Sequence, residues 1–136
     1  MRVLCINNSV MNIDSEIVRY RLNISINQDT HFMDLKVGEQ YDVVAIEERD
    51  KGLWLFLHTV DSKEYPYLYP VELFEFIDTS IPSGWRINFN SCEDGLMIKR
   101  ISFPRWVDDD YFYEKLVDGD NEIVNAYHKN LFNKKD

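Results

Sequence analysis

Three histidines (His31, His58, His128), two cysteines (Cys5, Cys92) and the run Asp108-Asp109-Asp110 are the side chains that could do chemistry here. Acid–base or nucleophilic catalysis needs such groups to converge within hydrogen-bond reach of one another. The histidines stand far apart, and GxSxG, HExxH and glycine-rich phosphate-loop patterns are missing. His58 reads as an ordinary strand residue, His31 as a loop residue and His128 as a helix-surface residue. The cysteines have 86 residues between them and form no CxxC, so they signal neither a zinc site nor a disulfide framework. Two buried thiols are expected. Consecutive carboxylates point in different directions and lack calcium-loop spacing, so Asp108–Asp110 read as a helix cap or as an acidic patch toward a partner. No catalytic residue, metal site or cofactor is expected.

Recognition chemistry is better supplied. Tyr65, Tyr67 and Tyr69 alternate, which puts them on one face of an extended segment, and tyrosine is a frequent interface anchor. The same rings serve equally as packing on a small β-unit with hydroxyls at its rim. From Lys36 to Asp78 there are ten acids and four bases, a local charge of −6 within a chain of net −9. Such a surface repels phosphate backbones and anionic lipids, which argues against nucleic acid and membrane and for a basic protein partner, solvated charged turns being the plain alternative. The candidate partner-binding residues are Glu47, Glu48, Asp50, Asp61, Glu64, Tyr65, Tyr67, Tyr69, Asp109 and Asp110.

These residues need elements to hold them. At 136 residues, 45% hydrophobic and 14% aromatic, the chain suits one domain with its own core. Arg2 to Ile6 reads as a short strand. Val18, Tyr20, Leu22, Ile24 and Ile26 then alternate with Arg19, Arg21, Asn23, Ser25 and Asn27, the period-2 pattern of a strand with one wet side. After a break at Gln28-Asp29-Thr30, strands are expected at Tyr41–Ala45 and Leu53–Val60 around a charged tip, Arg49-Asp50-Lys51-Gly52. Asp61–Glu64 forms the next turn, and Tyr65–Pro70 leads stiffly into Val71–Ile77. Thr79–Gly84 reads as a linker. Trp85–Asn90 and Leu96–Ile101 form a hairpin with Asp94-Gly95 at its turn. A helix then follows the aspartates to about Val117, Asp118-Gly119 breaks it, and Asp120 caps a second helix bearing Ile123, Val124, Tyr127 and Leu131, with Lys129, Lys134 and Lys135 near its end. The N-terminus is too short an apolar run for a signal peptide, and a cytoplasmic location is expected.

The stretch Leu35-x-Val-Gly-x-x-Tyr-x-Val, then Asp61-Ser-x-Glu64 and Tyr67-Leu-Tyr-Pro-x-Glu-Leu-Phe-Glu75, resembles small bacterial SH3-like proteins over 43 of the 136 residues. The resemblance implies an α+β, mainly β fold. An SH3-like β-barrel at 35–77 would carry an N-terminal strand extension (1–34) and a C-terminal hairpin plus two short helices (85–136). The segment from Trp85 through Trp106-x-Asp-x-Asp-x-Phe-Tyr-Glu-Lys-Leu-x-Asp-Gly-Asp is similar to a tail found in bacterial proteins that include members of toxin–immunity gene pairs. That likeness implies a non-enzymatic immunity protein that binds and neutralises a cognate toxin domain, a nuclease in many such pairs. The alternative is an SH3-like adaptor that takes a peptide or small ligand in an aromatic groove.

Overall fold

The structure is a computed structural model and describes residues 1–25, 31–59, 62 and 64–132. It is α+β and mainly β, an open antiparallel sheet with several short helices. The strands are β1 (Arg2–Cys5), β2 (Gln40–Arg49), β3 (Gly52–Leu57), β4 (Tyr67–Pro70), β5 (Phe74–Asp78), β6 (Arg86–Cys92) and β7 (Gly95–Ser102). The helices are α1 (Glu16–Ser25), α2 (Pro104–Val107), α3 (Phe112–Val117) and α4 (Asn121–Phe132). Five strands run in the order β4-β3-β2-β1-β5, and β7, carrying β6 on its far side, joins β2.

β2 organises the molecule because both of its faces are covered. A register shift between Val43 and Ala45 in its pairing with β3 marks a bulge. Val43 and Ile46 therefore turn into one core with Val3, Leu55, Leu57, Leu73 and Phe74, while Val44 and Ala45 turn into a second with Phe56, Phe103, Trp106, Phe112 and Tyr127. Covering both faces of a strand favours a continuous apolar run over alternation, as in Leu53–Leu57. The C-terminal helices are thus built onto the back of the sheet.

Two expectations are corrected. The segment read as an N-terminal strand arm is the helix α1. Ser15 begins it: its carbonyl accepts from the Arg19 amide at 3.0 Å and its hydroxyl from the Val18 amide at 3.3 Å. Val18 and Leu22, four residues apart, meet Trp54 and Val10, whereas Ile17 and Tyr20 are 82% and 70% exposed. An i, i+4 pair has even spacing, so it satisfies a strand pattern and a helix pattern alike. The second correction concerns closure. Among the described residues, β4 and β5 end the five-strand path without pairing to each other. Pro66 precedes β4 and Pro70 ends it, neither having an amide to donate, and a 3-10 turn at Val71–Leu73 separates β4 from β5.

The hairpin is followed by three helices where two are expected, because Pro104, just past the second strand, opens the short helix α2 with its fixed φ; the turns fall where the pattern puts them. Arg49 pairs with Gly52 across the β2–β3 tip, and Asp50 and Lys51 hold positive φ values of 52° and 64°. Cys92 pairs with Gly95 across the β6–β7 turn. Cys5 is buried as expected, but Cys92 is exposed, because the hairpin tip projects beyond the core.

Candidate partner-binding surface

Several of the residues singled out by sequence converge on one cleft of about 570 Å³ between the β2–β3 tip, β7 and α3. Its apolar lining is Phe56, Leu68, Met97, Trp106 and Tyr113, and Glu47, Glu48, Arg49, Lys99, Arg100, Asp110 and Glu114 line it with charge. Trp106 and Tyr113 stack at 6.2 Å between ring centroids, and Phe56 lies 4.9 Å from Tyr113. Burial, reinforced by Tyr65 and Tyr67, pushes the Tyr113 hydroxyl up to about 12, so it stays protonated and donates to the Pro66 carbonyl at 2.8 Å.

The carboxylates there divide by what they already hold. Glu47 pairs with Arg49 and with Arg100, whose Nε lies 3.5 Å away. Glu48 accepts the Ile98 amide at 2.8 Å, bracing β7 where β2 and β7 pair only at Ile46 and Ile101. Arg100 keeps only 11% of its side chain exposed, and its Nη1 is buried without a hydrogen bond, 3.7 Å from Asp110. Glu47 and Glu48 are therefore structural braces first.

The aspartate run is likewise occupied. Asp108 pairs with Arg86 at 2.8 Å, Asp109 with Lys115 at 3.0 Å and Asp110 with Lys99 at 2.6 Å. The Tyr111 amide and Lys115 hold the Asp109 carboxyl below its usual range, and Lys99 does the same for Asp110. No aspartate side chain caps α3, whose N-cap is Tyr111. Three ion pairs instead tie the helical segment to itself and to the β6–β7 hairpin. The Asp120 cap holds, its Oδ1 accepting the Ile123 amide at 3.2 Å.

The three alternating tyrosines do not share one fate. Tyr69 is 2% exposed and is core: its hydroxyl bonds the Asp34 carboxylate and lies 3.1 Å from the Thr59 hydroxyl. Burial and then Asp34 push its pKa upward. Tyr65 and Tyr67 are half-buried, 5.8 Å apart, and Tyr65 meets Tyr113 edge-on at 6.1 Å. The surface row is thus Tyr67, Tyr65 and Tyr113. Tyr113 was missed by sequence: it lies on α3 and Trp106 on α2, so no single helical period links the two rings.

Asp50, Glu64 and Glu114 are exposed. Asp50 follows Arg49 at the cleft wall, Glu114 lines the cleft, and Glu64 precedes Tyr65. No ion pair holds any of the three among the described residues. Asp61 lies outside the described residues, as do Val60, Lys63, residues 26–30, Lys134 and Lys135.

His58 is better placed than an ordinary strand residue. Just past β3, its Nδ1 lies 3.0 Å from the Ser62 hydroxyl and its Nε2 bonds the Tyr127 hydroxyl at 2.5 Å. The Ser62 hydroxyl also donates to the Thr59 carbonyl at 2.9 Å and accepts the Thr59 amide at 3.0 Å, so it organises a turn. Burial, and then His128, lowers the His58 pKa, and burial raises that of Tyr127. A neutral imidazole against a neutral phenol latches α4 to β3. Among the described residues, no three His, Cys, Asp or Glu side chains gather as a ligand set for a metal ion. Nor is any helix there long and apolar enough to cross a membrane.

Compared with family models, with curated proteins and with solved structures, the chain matches none.

Proposed function

We propose that this protein is a non-enzymatic binding protein that grips a basic protein partner across the tyrosine row and the carboxylates around it, in the manner of a cytoplasmic immunity protein neutralising a toxin domain. One observation carries the reading. Eight cations, Arg2, Arg21, Arg49, Arg86, Lys99, Arg100, Arg105 and Lys115, sit in internal ion pairs. Asp50, Glu64 and Glu114 carry no ion pair among the described residues, Glu64 next to Tyr65 and Glu114 next to Tyr113 in the chain and Asp50 at the β2–β3 tip beside Arg49 of the cleft wall. Half-buried rings lose little side-chain freedom on docking, and unpaired carboxylates at their edge steer a cationic surface toward them. The order of five consecutive strands, with a 3-10 turn before the fifth, supports an SH3-like reading of the fold, an open relative of the barrel.

The partner-facing set then becomes Asp50, Glu64, Glu114, Tyr65, Tyr67 and Tyr113, with Glu47, Glu48, Asp109 and Asp110 supporting it from within. The test is co-expression with the product of the adjacent upstream gene, followed by binding measurements on the purified pair. Reversing Asp50, Glu64 and Glu114 together to lysine is expected to slow association and flatten its salt dependence. Binding that withstands high salt and is abolished only by truncating Tyr65 and Tyr113 would favour the adaptor reading, for which the contiguous rings are the supporting observation.

A further inference from the structure

Among the described strands, β6 pairs only with β7, so its outer edge is open along Arg86–Cys92. An antiparallel edge of that length leaves roughly three amides and three carbonyls unpaired. Other open edges of this sheet carry deterrents to further pairing. Pro66 precedes β4 and Pro70 ends it, and β5 carries Glu75 and Asp78. From Ile87 to Cys92, β6 has neither proline nor charge, although the chain as a whole carries −9.

The two faces of the hairpin differ. The Asn88 side of β6 meets α2, where its Nδ2 donates to the Val107 carbonyl at 3.1 Å. The other side shows Ile87 at 44% and Phe89 at 56% exposure, next to Leu96 at 73% on β7. This apolar strip runs up to the open edge and stops there.

We infer that the β6 edge is a self-association surface, joining two copies of this chain antiparallel about a two-fold axis through Phe89. A two-fold perpendicular to the sheet keeps equivalent faces together. It sets Phe89 against its own image, Asn88 opposite Asn90 and Ile87 opposite Ser91, so no like charges oppose each other in the ladder. Arg86 of one copy falls opposite Cys92 of the other, so the ends of the ladder bring no like charges together either. The two apolar strips merge into one. A basic partner finds no carboxylate along this edge, which is why a second copy is the occupant assigned to it.

Sedimentation velocity of the whole chain across a range of concentrations tests this. A monomer–dimer equilibrium is expected that tightens with added salt, because screening relieves the repulsion between two acidic bodies. The partner complex proposed above moves oppositely with salt, so the two readings fail separately. Phe89→Glu and Phe89→Lys each set like charges across the axis and should raise the dissociation constant by more than about tenfold. Mixing the two variants should restore a dimer, which neither forms alone and which a misfolded variant could not form. A wild-type chain monomeric throughout, a dimer indifferent to both substitutions, or a mixture that stays monomeric would overturn the inference.

Discussion

Gly52→Ala is expected to destabilise the protein through a residue thirty-one positions away in the chain. The φ of Gly52 is not among the positive values, so alanine fits its backbone, and such a change ordinarily stabilises by about 0.4–1 kcal/mol by restricting the unfolded chain. Here the new Cβ would stand 2.7 Å from Arg21 Nη1 and 2.8 Å from its Cζ. The Gly52 backbone is fixed by its pairing with Arg49, so the flexible Arg21 side chain has to leave. It would give up its hydrogen bond to the Lys51 carbonyl at 3.0 Å and its ion pair with Glu72. Those side chains are 25% and 21% exposed, and the second Glu72 oxygen is already buried without a partner. An arrangement between a surface pair and a buried one is worth about 2–3 kcal/mol, and the intrinsic gain from alanine reduces the net cost to about 1–2 kcal/mol. Urea unfolding reads this as a lower midpoint at unchanged slope. In an Arg21→Met background the collision is gone, and Gly52→Ala should be neutral or stabilising. Equal costs in both backgrounds would refute the clamp, and with it the placement of α1 over the β2–β3 tip.

Other expectations follow from the latch and the cap. The His58 pKa is lowered on folding, so the unfolded chain binds the proton first. The stability due to its neutral form is complete above about pH 6.5 and is lost as pH falls through the folded value, with a slope of at most about 1.4 kcal/mol per pH unit. His58→Gln should flatten the stability profile in that window, and a retained slope would assign it to another group. Asp120→Ala should cost about 1 kcal/mol by freeing the Ile123 amide at the start of α4, and Asp120→Ser should recover most of it in the same unfolding assay.

Local chemistry made much of this fold readable. Asp94-Gly95, the Arg49–Gly52 tip and Asp120 each act on the next few residues, and the structure places a hairpin turn, a hairpin turn and a helix cap at them. What sequence did not disclose depends on partners distant in the chain. Val18 and Leu22 suit both periods, and only Trp54 below them and solvent over Tyr20 distinguish the helix. The aspartates meet Arg86, Lys99 and Lys115, chosen by how the hairpin crosses the helices, so three charges read as a helix cap or an acidic patch are largely neutralised where they stand. Tyr69 is separated from its alternating neighbours because β4 carries it inward to Asp34 and Thr59.

The central claim is that a basic protein docks on the Tyr65–Tyr67–Tyr113 row between Asp50, Glu64 and Glu114. Isothermal titration of the purified upstream gene product into the wild-type chain, and into a Tyr65→Ala/Tyr113→Ala variant confirmed to be folded, tests it most directly. Saturable binding to the wild type, weakened by salt and reduced at least about tenfold by the double substitution, is the predicted result. Absence of binding to the wild type, or binding that the variant retains in full, would contradict it.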